Sequence, residues 1–196
     1  AVQNILLSDA PEKIGPLVAG NALGQYGITG TGAGLEELRS VPCTMETRWW
    51  SFLRMCSAHY ALVCERFGFS QRFADVLAGL DRLAATSTLP QSVPELKRLL
   101  CRLPEFDYEA AVRTLMRTDV RWAGQLALYD ALCFSGEPYR MRHLAVTAAD
   151  LAAVGIMGQK AAWVLSQLME AVLKAPEVNT QPALMALAQT LAAEYK

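Results

Sequence analysis

Histidine is nearly absent from this chain: His59 and His143 are the only two among 196 residues. They show no His-x-x-x-His spacing and no neighbouring acid, so a histidine-built metal site or catalytic triad has little material here. Cysteine is present but unpatterned. Cys43, Cys56, Cys64, Cys101 and Cys133 are odd in number and contain no Cys-x-x-Cys pair, which argues against a zinc knuckle or a disulfide framework and for reduced, buried thiols. Hydrophobic residues make up 53% of the chain, yet no stretch approaches the roughly eighteen uninterrupted apolar residues that a membrane helix needs. Ala1 to Leu7 has neither the basic start nor the long apolar core of a secretory signal. An excess of one charge is missing too. With 18 basic and 19 acidic residues the net charge is −1, which argues against a general nucleic-acid binder but leaves room for one basic face. Expected from this is a soluble cytoplasmic chain with one domain or two small ones and a sizeable core.

Sustained alternation with β-branched residues is also lacking, and helix punctuation fills the chain instead. Ser8 or Asp9 with Pro11 and Glu12 reads as a helix start. Six glycines between Gly20 and Gly34 mark a flexible loop. Its Gly-x-Gly-x-Gly has no preceding apolar strand and no following Lys, so a phosphate cradle is not expected. Thr44 caps one long run to about Phe67, Ser70 opens another through Leu83, and Ser92 with Glu95 forms a capping box. Asp107 caps a run to Arg117, and Asp119 begins one through Leu132. The fold class is all-α.

The densest signals lie between Leu144 and Leu191. Thr147 and Asp150 have capping-box spacing, and the short helix they start must stop at Gly155. Gly158 opens a longer helix on which Ala161, Leu165, Leu168 and Val172 form one apolar stripe. Lys174 sits in its last turn, Pro176 stops it, and Leu184, Leu187, Ala188 and Leu191 stripe a final helix.

Five strings in this order, Leu144-Ala145-Val146, Asp150-Leu151, Gly155-Ile156-Met157-Gly158, Leu168-Met169-Glu170-Ala171-Val172 and Asn179, resemble the tail of bacterial CCA-adding enzymes. These are the tRNA nucleotidyltransferases of the poly(A) polymerase family. The chain departs from the pattern at Ala162, where the family commonly has Gly, and at Val178, where Pro usually precedes Asn. Ile5-Leu6-Leu7-Ser8 is similar to the end of the family's neck, and Thr47-Arg48-Trp49-Trp50 to the opening of a body helix. The resemblance implies a neck end and glycine-rich loop over residues 1–40, a helical body over 41–143 and a helical tail over 144–196. The family's Gly-Gly-x-Val-Arg-Asp loop, Asp-x-Asp pair and Glu-Asp-x-x-Arg helix do not occur in the sequence. The implied fragment therefore lacks the catalytic head and is inactive alone. In the complete enzyme, CCA is added to tRNA 3′ ends from CTP and ATP with Mg²⁺. Body and tail would hold the acceptor and T arms of tRNA, and the partners implied are tRNA and that head.

Two groups of residues are candidates for RNA phosphates. Gly158 and Lys160 lie at a helix N-terminus, where free N–H groups and the helix dipole favour an anion; the alternative is a plain hairpin with a solvated lysine. Arg140, Arg142 and His143 sit in a polar hinge after Gly136 and Pro138; a solvated linker is the competing reading. The Leu151 to Ala161 string also resembles a helix-hairpin-helix nucleic-acid module, with one residue too many between its glycines. Arg113, Arg117 and Arg121 read as surface charge, Trp49, Trp50, Trp122 and Trp163 as core rather than base-stacking platforms, and His59 as a core or boundary histidine. A rival of a different class is a helical protein-interaction adaptor with no RNA role.

Overall fold

A computed structural model describes residues 1–195. Helices dominate: α1 (Val2–Leu6), α2 (Gly15–Ala19), α3 (Met45–Met55), α4 (Tyr60–Phe67), α5 (Gln71–Ala84), α6 (Val93–Arg102), α7 (Tyr108–Leu115), α8 (Ala123–Ser135), α9 (Ala148–Ala153), α10 (Gly158–Lys174) and α11 (Gln181–Glu194). Short 3₁₀ turns link several of them, and β1 (Ile28–Thr29) and β2 (Ser57–Ala58) form a two-stranded antiparallel ribbon. The fold is all-α, with that one ribbon among the described residues.

The caps read from the sequence explain where α3, α5, α7 and α9 start. Thr44, Ser70 and Asp107 each accept a bond from the backbone N–H three residues on, at 3.2, 3.3 and 2.9 Å. Ser92 stands at the start of α6, but its side chain makes no cap; Glu95 instead accepts from the N–H of Gln91 at 2.9 Å. α7 ends at Leu115, short of Arg117.

The expected single helix from Thr44 to Phe67 is two helices. Cys56 is extended, Ser57 and Ala58 pair with Thr29 and Ile28, and the hydroxyl of Thr29 donates to the carbonyl of Ser57 at 3.2 Å. His59 then starts α4 as its N-cap and is exposed, not a core or boundary residue. The glycine-rich segment is correspondingly structured: Leu23, Ile28 and Leu35 are buried. Two of its glycines are required there. A Cβ on Gly27, at φ +76°, would meet Leu62 at 2.6 Å, and one on Gly32, at φ +75°, would meet the Gly15 carbonyl at 2.8 Å.

The chain divides into two compact units, each assembled from two stretches. The first comprises Ala1–Leu89 and Pro104–Leu126, the second Pro90–Leu103 and the chain from Ala127 on. The expected body–tail junction at 143/144 falls inside the second unit, because α6 and the 127–143 segment share its packing.

The first unit is centred on Trp49, fully buried, with Phe52, Phe67 and Phe69 set edge-on to its indole at 6.0, 5.1 and 5.0 Å. Arg48, 5% exposed, donates to the carbonyls of Val41, Leu6 and Ser8 at 2.8, 2.9 and 3.4 Å. It ties together the carbonyl at the end of α1 and two loop carbonyls, which a planar five-donor guanidinium does well. The second unit has an aliphatic core of Leu151, Ile156, Val164, Leu168, Val172, Leu184 and Ala188, drawn from α9, α10, α11 and the turn before α10. Its helices pair because the stripes at 3.6-residue spacing face each other.

Candidate functional site

The turn between α9 and α10 follows from its residues. Thr147 accepts from the Asp150 N–H at 3.3 Å and Asp150 accepts from the Thr147 N–H at 2.7 Å, so the capping box is complete. The Thr147 hydroxyl, which donates to the Asp150 carboxylate at 2.7 Å, and the Thr147 N–H hold that carboxyl below its ordinary value. At the other end of α9, Ile156 N–H donates to Leu151 at 3.0 Å and Gly155 N–H to Ala152 at 3.0 Å. This is a Schellman stop with Gly155 left-handed at φ +81° and Ile156 buried on Leu151's side of the core. Gly158 is left-handed as well, at φ +63°.

What this turn presents is an uncapped helix end. Met157, the N-cap, offers no side-chain bond to the first turn of α10, and Gly158 and Gln159 are exposed. Lys160 is half-buried, with no hydrogen bond or ion pair among the described residues. Val154 and Met157 flank the turn, 45% and 66% exposed. A cation in the first turn opposes the helix dipole, so this end is electropositive.

Arg140, Arg142 and His143 are placed differently. Arg140 directs its guanidinium inward, donating to the carbonyls of Leu100 and Leu103 at 2.6 Å each; it closes the C-terminal end of α6 and lies over the Tyr139 ring at 5.7 Å. His143 accepts at Nδ1 from the Tyr139 N–H at 3.3 Å. Arg142 Nε lies 3.3 Å from the other ring nitrogen, Nε2. Arg142 is exposed. Asn179 holds this hinge: its amide donates to the His143 carbonyl at 2.8 Å and accepts from the Ala145 N–H at 2.9 Å.

The candidates therefore form two places, not one. Asn179 lies five residues past the end of α10, and Cys101 feels both Arg140 and Glu170. The hinge thus flanks the C-terminal half of α10, while Lys160 stands in its first turn. Ten residues of helix separate Lys160 from Glu170, about 15 Å along the axis.

Sequence reasoning missed an ion pair between a buried lysine and a half-exposed glutamate. Lys97, 2% exposed, donates to Glu137 at 2.6 Å. Its neighbours Leu96 and Leu100 are buried, and a lysine beside such a stripe was the available signal. Glu137 also lines a cavity of about 400 Å³ with Tyr139, His143 and Asn179.

For Arg113 and Arg121 the surface-charge reading agrees with the structure, whereas the side chain of Arg117 is 24% exposed and meets Glu37 at 3.4 Å. Arg113 pairs with Glu109 at 2.7 Å and Arg121 with Asp119 at 2.6 Å, both on the surface. Trp49, Trp50 and Trp122 are buried, and Trp163 packs on Tyr195 at 5.3 Å. Burial pushes the Cys56 thiol up to about 11 and raises those of Cys64 and Cys101, so none is an activated nucleophile. Among the described residues no cluster of three or more His, Cys, Asp or Glu side chains is arranged to hold a metal ion. None of their helices is long and apolar enough to cross a membrane. No family model matches the chain, and neither a curated protein nor a solved structure matches it.

Proposed function

We infer that this chain is the tRNA-binding helical body and tail of a CCA-adding tRNA nucleotidyltransferase of the cytoplasm, with the catalytic head outside it. The observation that carries this reading is the stretch from Leu144 to Asn179, where Asp150, Gly155, Gly158 and Asn179 of the resemblance each have a structural task. Thr147 and Asp150 start α9, Gly155 stops it, Gly158 opens α10, and Asn179 fastens the chain back to His143 and Ala145. The exposed, uncapped start of α10 with Lys160 supplies the chemistry for an RNA phosphate. Arg142, exposed at the hinge, is the second contact in this reading. Arg140 and His143 hold the hinge in shape rather than meeting RNA. Such contacts read helical RNA by shape and backbone, as the acceptor and T arms require.

The test is binding of tRNA to the purified chain across a salt series. Affinity should fall steeply with salt, and Lys160→Ala should weaken binding and lower the salt slope by roughly 0.7 to 0.9, the share of one phosphate. Circular dichroism checks that the variant stays helical. The chain alone, given Mg²⁺, CTP and ATP, should add no nucleotide to tRNA lacking its 3′ end. Wild-type affinity and slope in the folded variant remove Lys160 from the interface. Absence of salt-dependent tRNA binding by the unaltered chain sinks the reading and favours the protein-interaction adaptor, for which the 96% exposed Phe134 offers an anchor.

A further inference from the structure

We propose that the first unit carries a binding site for a small phosphate-bearing molecule, in the cavity beside α3 that Ser51, Arg54 and Arg117 line. The cavity has a volume of about 260 Å³. Ser51 and Arg54 are three apart on α3 and therefore share a face. Arg117 reaches the same space from just beyond α7.

Three features point to an anion. The first is Ser51: it is 6% exposed, and its hydroxyl is buried with no hydrogen-bond partner in the protein. A buried hydroxyl without a partner is destabilising, and a ligand bound there would offset that cost. The other two hydroxyls of the cavity are engaged, Thr114 donating to the Ala110 carbonyl and Thr118 to that of Leu115. Ser51 alone has its proton to give.

The second feature is the way the arginines are held. Arg54 meets Asp81 at 3.6 Å and Arg117 meets Glu37 at 3.4 Å, both longer than the 2.7–2.9 Å typical of a charge-assisted bond. Asp81 is already taken up by the Trp50 indole at 2.9 Å and the Tyr60 hydroxyl at 3.3 Å. Arg54 is steered by the Trp50 ring, with its guanidinium 4.9 Å from the ring centroid. Each guanidinium therefore keeps donors for a third group. Arg117 is only 24% exposed, so its interaction with an incoming anion is poorly screened.

The third feature is Glu37, 61% exposed, whose carboxylate lies where an incoming anion would meet Arg117. It can swing into water and yield its place. Two guanidiniums and a hydroxyl from two elements suit a tetrahedral oxyanion with several acceptors better than a flat carboxylate. Met55 and Leu115 give the remainder of the ligand an apolar wall.

Titration calorimetry of the full chain with inorganic phosphate, at matched ionic strength, tests the site. Saturable binding is expected, with acetate weaker. Arg117→Gln should abolish it. Glu37→Gln, a change at an exposed side chain that leaves the core intact, should tighten it by about tenfold, the equivalent of one charged hydrogen bond freed. Ser51→Ala should weaken phosphate binding while leaving the ligand-free protein equally stable or more so, because it removes the unpartnered hydroxyl. Absence of saturable phosphate binding by the unaltered chain overturns the proposal. So does phosphate affinity unchanged in Glu37→Gln and Ser51→Ala, or acetate binding as tightly as phosphate.

Discussion

The two units solve the same problem with different materials. The first fills its centre with aromatic rings around Trp49 and relies on Arg48 to bind irregular backbone that no helix satisfies. The second uses leucine, valine and alanine on long helices, with the capping box of α9 and Asn179 fastening the chain around them. An irregular unit concentrates its stability in a few large side chains with many partners. A regular one spreads it over a stripe of small, repeated contributions.

Truncation separates the two modes most sharply. Trp49→Ala should cost about 3–5 kcal/mol in chemical denaturation, and Leu168→Ala in the second unit about 2–5. If Trp49→Ala proves the milder of the two, the first core rests less on its aromatic centre than its geometry implies. The polar fasteners come next. Arg48→Lys keeps the charge but loses the fork that meets three carbonyls, and about 2 kcal/mol should be lost with it; Asn179→Ala should cost about 1–3 kcal/mol, because both of its hydrogen bonds, to the His143 carbonyl and from the Ala145 N–H, are lost. Equal stability of Arg48→Lys and the unaltered chain would show that charge alone suffices there.

Acid gives the smallest effect and the finest probe of the capping box. Asp150 sits below its ordinary value of 3.8 in the folded chain because the Thr147 hydroxyl and N–H donate to it. Its contribution is therefore fully present above that value and is lost as pH falls through the lowered one. Asp150→Asn should be less stable than the unaltered chain at neutral pH, and the two denaturation midpoints should converge in acid, as pH falls through the lowered value. A difference that persists unchanged into that acid range would mean the box acts through something other than the carboxylate charge.

What the sequence disclosed was whatever acts over one turn of helix. Thr44, Ser70, Asp107 and Thr147 cap because their partners lie three residues away. The Gly155 stop is equally local. The break after Met55 was hidden, since Ser57 extends only because Thr29, 28 residues earlier, pairs with it. Arg48 and Lys97 were hidden for the same reason, with partners 42 and 40 residues off. Of the candidate site, the geometry of the turn was legible; the packing of the hinge was not, because Arg140 donates to carbonyls about 40 residues earlier in the chain. The cavity beside α3 joins Glu37 to Arg117 across 80 positions and left no trace in any local pattern.

The interleaving of the two units also sets an order of events at the ribosome. α6 emerges early, but its apolar side, with Leu96 and Leu100, belongs to a unit whose long helix α10 begins only at Gly158. At about 5–20 residues per second, α6 must wait several seconds for that helix while the chain that completes the first unit, Pro104–Leu126, passes by. For that interval a leucine-rich face has no native partner of its own, and it is the segment on which a nascent-chain chaperone would first be expected to settle.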